Sequence, residues 1–308
     1  MVMIDTFIID LFSPYLAFIA PYMPGEYFPM FFNGEIPSLQ RALIASLLVT
    51  IVAGFLGTFL LIRNLALIGD GLAHISFGGV AIAIVLGATS PLAYAMMFSI
   101  IASILIYELQ SRRILTGDAS IAIFMTGVLS LGLVALRVSG GAITAEIHSY
   151  LFGSQLLINT DQLNYISIVS ILSLSLLFYT RNGLLAISVD PLSARVQGIP
   201  VRGLGLLFSI ITAAVVVSMV KIVGALLVTA LLVTPASTSQ LIGRSFKSCL
   251  VWTQVFGLSS VIIGLYLSAE YNAGPGAAIS LVAATMFTLI ASCQTIIRTF
   301  INPNDNFN

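Results

Sequence analysis

The stretch RNLALIGDGLAHISFGGVAIAIVLG, residues 63 to 87, decides how this chain is read. It is apolar enough to lie in a bilayer, yet it places Asp70 and His74 four residues apart among glycines. Residues at i and i+4 share one face of a helix. A carboxylate and an imidazole at that spacing can both bind one cation. Ionisable groups inside a membrane span are costly and point to function. The pair is therefore expected to belong to the path of a divalent metal ion, and the rest of the chain to be its membrane scaffold.

Composition supports the scaffold. The chain has 308 residues, 58% hydrophobic and 8% charged, with a mean hydropathy of +1.08. Soluble domains carry about 25% charged residues, so a soluble chain of this length could not cover its own surface. The apolar runs are continuous rather than alternating, and several reach the ~20 residues of a spanning helix. The expected class is all-α: a polytopic helical membrane protein with about eight or nine spans. Net charge is zero and there is no basic tail, so no nucleic-acid partner is expected. Cys249 and Cys293 stand singly in apolar stretches, without a CxxC or a disulfide framework. No Lys or Arg precedes Arg41, so the N-terminus lacks the basic region of a signal peptide and is read as part of the mature chain.

Residues 1–37 are broken by Pro14, Pro21, Pro24 and Pro29 and read as an interfacial or short membrane segment, with a true span from Ile4 to Ala20 as the rival. Nine spans follow, at 40–62, 65–88, 91–110, 119–138, 161–180, 203–220, 223–242, 248–269 and 275–297, and residues 299–308 form a tail. The segment 140–158 is too polar for a clean span and reads as an external loop or a re-entrant piece. With the loop after the first span inside, nine of the twelve Lys and Arg residues fall inside and only Arg41, Arg137 and Lys221 outside. That bias fixes the orientation and makes the tail cytoplasmic. His74 then lies about 16 Å from the cytoplasmic end of its helix, near the midplane of a ~30 Å core.

Between the fifth and sixth spans runs AISVDPLSARVQGIPVRGLG, residues 186 to 205. Pro191 suits a first helical turn with Asp190 as its cap, and Gly198 and Pro200 end it. A short helix held at both ends by membrane helices is suited to being gripped by another protein.

The spacing of Asp190, Ala194 and Gly198 resembles the coupling motif of ABC-transporter permeases. RNLALIGDGLAHISFGGVA resembles the second span of the ABC permease family that imports zinc, manganese or iron. Residues 223–242, 274–289 and 116–124 are similar to its late span with a proline–alanine break, its last span and the start of a middle span. The resemblance covers Ser38 to Arg298, the expected permease domain. It implies a homodimer of permeases in the cell membrane, in contact with lipid, served by two copies of a cytoplasmic ABC ATPase and an extracytoplasmic metal-binding protein. It also implies Asp70 and His74 as metal ligands, and Asp190, Ala194 and Gly198 as the ATPase-coupling residues. No GxxxxGK[ST] occurs, so the chain is expected to be no enzyme and to leave ATP hydrolysis to another subunit.

A mixed carboxylate and imidazole site suits Zn, Mn or Fe better than Ca or Mg. Two ligands do not complete a shell; water, a second copy or another span must supply the rest. Glu146, His148 and Glu270 lie on the outer side and are candidates for the metal entrance, or for ordinary loop polarity. Glu108 pairs with Arg112 at i+4, Asp118 reads as a helix cap, and Pro235 reads either as a tolerated kink or as a hinge or pore-lining bend. Two other readings stand beside the metal importer. One is an ABC permease for a metal chelate such as a siderophore or cobalamin, against which an acid–imidazole pair at the midplane argues. The other is an ion-gradient-driven secondary metal transporter, whose sign would be an inverted repeat; none is evident.

Overall fold

A computed structural model describes residues 3–140, 150–151, 153, 158–225 and 228–301. The described residues are helical throughout their regular structure. An N-terminal helix α1 (Met3–Ile19) leads through a 3₁₀ turn and the short α2 (Met30–Asn33) into α3 (Pro37–Ile62). Then come α4 (Ile68–Val85), α5 (Pro91–Ser111), α6 (Gly117–Val138), α7 (Thr160–Val189), the short α8 (Pro191–Val196) and α9 (Val201–Val223). Two short helices, α10 (Val228–Leu232) and α11 (Thr234–Ile242), precede α12 (Phe246–Tyr271) and α13 (Pro275–Ile301). Eight of these, α3 to α7, α9, α12 and α13, are long and apolar enough to cross a membrane. At 17 residues α1 is not among them.

The ninth expected span, 223–242, is not one helix. Gly224 leaves α9 at φ +92°, and Val233 interrupts the regular helix between α10 and α11. Pro235 has no N–H to donate and sits in the first turn of α11, where a missing donor costs nothing. The two pieces still make a crossing. The Val201 end of α9 lies by Tyr107, near the arginines, whereas the Phe246 ring that begins α12 lies 5.0 Å from Phe59, one turn before Arg63. The chain leaves α9 at the far end and re-enters α12 at the arginine-bearing end, so α10 and α11 carry it back.

Burial separates two layers. Helices α3, α4 and α9 are buried along 72–78% of their most apolar windows, and the other membrane-length helices along 22–39%. The first three form an inner group wrapped by the rest. Glycines make the inner packing close. Any side chain at Gly78 would stand 2.5 Å from the Val128 carbonyl of α6, and one at Gly79 would stand 2.9 Å from the Tyr94 carbonyl of α5. Gly78 and Gly79 therefore serve close helix approach. Small residues at contacts are the usual solution in a bilayer, where association rests on van der Waals packing.

Asp118 departs from the expected cap. Thr116 is the N-cap residue of α6, and Asp118 lies in its first turn, where its charge faces the positive end of the helix dipole. Glu108 does pair with Arg112, at 2.9 Å, and it also bridges to Arg202 across the sequence.

Candidate metal site and coupling helix

Asp70 stands in the first turn of α4, where the helix dipole favours a carboxylate. His74 follows one turn on. Between Ile68 and Ala81 these are the two residues that are not buried. Their side chains are 35% and 18% exposed. Over this length the inner helix α4 is part-exposed only at its acid–imidazole pair. His74 Nε2 lies 3.7 Å from Asp70 Oδ1, too long for a hydrogen bond, and His74 Nδ1 is buried without a partner. The imidazole is therefore not consumed by a structural contact. Metal–nitrogen and metal–oxygen bonds of about 2.1 Å span up to about 4.2 Å end to end, so one ion can bridge this gap. Among the described residues no three His, Cys, Asp or Glu side chains are grouped closely enough to hold a metal. The acid–imidazole pair thus stands without a third such side chain among the described residues.

Glu146 and His148 lie outside the described residues. Glu270, at the end of α12, accepts the backbone N–H groups of Tyr27 and Phe28 at 2.9 and 3.0 Å. It ties the segment between α1 and α3 to the far end of the bundle. Nothing in residues 20–36 announced that contact, which spans more than 240 positions.

Pro235 is buried on α11, within reach of Gly257 on α12. Beside it a buried hydroxyl chain joins three helices: Thr253 Oγ1 donates to Ser239 Oγ at 2.8 Å and lies 3.3 Å from Thr58 Oγ1.

At the arginine-bearing end α8 forms as its sequence directs. The Asp190 side chain accepts the Leu192 and Ser193 N–H groups at 2.9 and 3.2 Å, and the Ser193 hydroxyl donates to its other oxygen. The Ser193 hydroxyl first, then the two N–H groups, hold the Asp190 carboxyl below the usual carboxylate range. Ala194 is buried against the bundle. Gly198 ends the turn at φ +80°, a conformation glycine adopts freely, and its N–H donates to the Arg195 carbonyl. Leu192 and Val196, one turn apart, project outward at 69% and 90% exposure.

The Asp190 cap has a defined pH window. Its folded pKa is lowered, so its contribution is complete above the unfolded value near ~3.9 and is lost as pH falls through the lower folded value. Between pH 5 and 8 the cap does not titrate. Asp190→Asn, which keeps an accepting oxygen, is therefore expected to retain transport across that range, while Asp190→Ala loses most of it. The check is ATP-driven uptake measured at both ends of the range; equal activity of the alanine variant would mean that transport does not depend on the cap.

Eight helices long and apolar enough to cross a bilayer make this a multi-pass membrane protein. The model of the ABC 3 transport family matches residues 35–294, and the chain belongs to that family. The manganese transport system membrane protein MntC of Listeria innocua is 33% identical over 249 residues, covering 81% of this chain and 88% of that protein. The high-affinity zinc uptake system membrane protein ZnuB of Haemophilus influenzae is 33% identical over 251 residues, covering 82% and 95%. A chain of PsaBC from Streptococcus pneumoniae, solved in complex with Fab, superposes with a TM-score of 0.74 at 30% identity, covering 90% of this chain and 97% of that one. The chain is thus the transmembrane permease subunit of an ABC transporter, with an ATPase and a binding protein as its partners.

Proposed function

We propose that this permease imports divalent transition metal ions, manganese or zinc, and that Asp70 and His74 bind the ion in transit. The observation that carries this is that from Ile68 to Ala81 the inner helix α4 is part-exposed at these two residues alone, with His74 Nδ1 left without a partner. The relatives named for manganese and for zinc uptake support the cargo class. Two ligands per copy fit a homodimer in which each permease contributes its pair. Two ATPases, one per coupling helix, then move α8 through contacts with Leu192 and Val196. The hinge is the break at Val233 and Pro235, and Glu146 and His148 receive the ion on the outer side. Glu270, whose carboxylate is engaged by backbone N–H groups, holds the outer rim in place for that entry.

Proteoliposomes containing the permease with its ATPase, with and without ATP, test this reading against Mn, Zn and Fe. ATP-dependent uptake of Mn or Zn is expected. ATP-independent flux would instead make the chain a gradient-driven carrier, and ATP-driven movement of a large chelate would change the cargo.

A further inference from the structure

Five arginines converge at the end of the bundle that bears α8. Arg63 caps α3, Arg112 and Arg113 follow α5, Arg195 lies on α8 and Arg202 lies in the first turn of α9. All five line one cleft of about 880 Å³, against two carboxylates, Glu108 and Asp190. Glu108 Oε1 holds Arg112 and Arg202 while its Oε2 is buried without a partner, and Asp190 caps its own helix. Among the described residues, Arg63, Arg113 and Arg195 have no carboxylate within ion-pair distance.

Arg63 is the most telling of the three. Its Nη1 is buried and makes no hydrogen bond, and beside it Gln110 Nε2 is also buried and unpaired. The Phe208 ring 4.7 Å away offsets part of the cost of burying the charge. It does not satisfy the N–H groups, and buried donors without acceptors are rare enough to require an explanation. Arg63, Gln110 and Arg113 also line an adjoining cavity of about 510 Å³, so they form the partition between two open spaces. Each arginine there lies at or just beyond the end of a membrane-length helix, the level at which phosphates of a bilayer lie.

We propose that Arg63, Gln110 and Arg113 form a phosphate-binding site, occupied by the head-group phosphate of an anionic lipid or by free phosphate. A phosphate carries several acceptor oxygens and can take donors from two guanidinium forks and an amide together. Basic pockets between membrane helices on the cytoplasmic side bind anionic head groups by this chemistry. The site is independent of the metal pair on α4.

The test is thermal unfolding of the full permease–ATPase complex in detergent, titrated with dioctanoyl phosphatidylglycerol, with dioctanoyl phosphatidylcholine, and with inorganic phosphate at constant ionic strength. A saturable rise with phosphatidylglycerol alone assigns a lipid; a rise with inorganic phosphate as well assigns a site open to free phosphate. In either case Arg63→Gln and Arg113→Gln should each weaken the apparent affinity about fivefold, and Arg137→Gln, at the opposite end of α6, should not. Arg113 is exposed, so its variant carries the test if Arg63→Gln does not fold. No saturable rise with either probe, or an unchanged affinity in Arg113→Gln, overturns the proposal. Loss of the ATPase from Arg113→Gln with no response to either probe also overturns it, and assigns the cleft to an acidic side chain of the ATPase.

Discussion

Asp70→Ala and His74→Ala are each expected to reduce metal uptake at least ~100-fold while the ATPase still binds the permease and still hydrolyses ATP. The size follows from the proposed role of each as one of two ligands, since even outer-shell partners cost 10- to 100-fold in metal affinity or activity. The separation of transport from assembly follows from the structure. His74 makes no hydrogen bond through Nδ1, and its approach to Asp70 is too long to be one. Both side chains are part-exposed on a helix otherwise buried from Ile68 to Ala81. Truncating them opens little buried volume and leaves no new polar group unpaired. Uptake of Mn and Zn into proteoliposomes, run beside ATP hydrolysis and size-exclusion chromatography, separates the two effects. Normal uptake by both variants would end the assignment of the pair to the ion path.

Gly57→Val is expected to cost more than any substitution on the lipid-facing helices. The α3 backbone at Gly57 meets the carbonyl of Leu232, where α10 ends, and a Cβ added there would collide with that carbonyl oxygen. The obstacle is backbone, not the end of a flexible side chain, and α3 is the most buried of the membrane-length helices. Relief requires moving the broken crossing. Overpacking of this kind costs about 1–3 kcal/mol, and more where the neighbour cannot shift. Gly127→Ala on α6 is the control: nothing lies within 4 Å of an added Cβ, and removing a helical glycine gains up to about 1 kcal/mol. Unfolding temperatures of the two variants should therefore move in opposite directions, with uptake lost only at Gly57. An equal response would mean that the contact with Leu232 is not tight.

The part of this molecule that was legible in its sequence is the part governed by short spacing. Asp70 with His74, Glu108 with Arg112, and Asp190 with the N–H groups of α8 are all separated by four residues or fewer. Helical geometry alone brings them together. Membrane-length helices were legible for a similar reason, because length and hydropathy are local. The 223–242 stretch misled because its apolar content suits a span, while Gly224 at positive φ and the proline near Val233 divide it. Contacts across long separations left no local sign. Arg202 reaching Glu108 from 94 positions away, and Glu270 holding the Phe28 N–H from 242 away, depend on the tertiary arrangement.

The broken crossing has a consequence for how the protein is made. Val228–Ile242 holds 15 residues, which at 1.5 Å per residue reaches about 22 Å, short of a ~30 Å hydrocarbon core. Its pieces of five and nine residues are too short to persist as isolated helices. During synthesis this stretch has neither the length to be released into lipid on its own nor the stability to wait there. It is expected to enter the bilayer as a passenger between α9 and α12, forming its crossing only once those flanking helices are inserted.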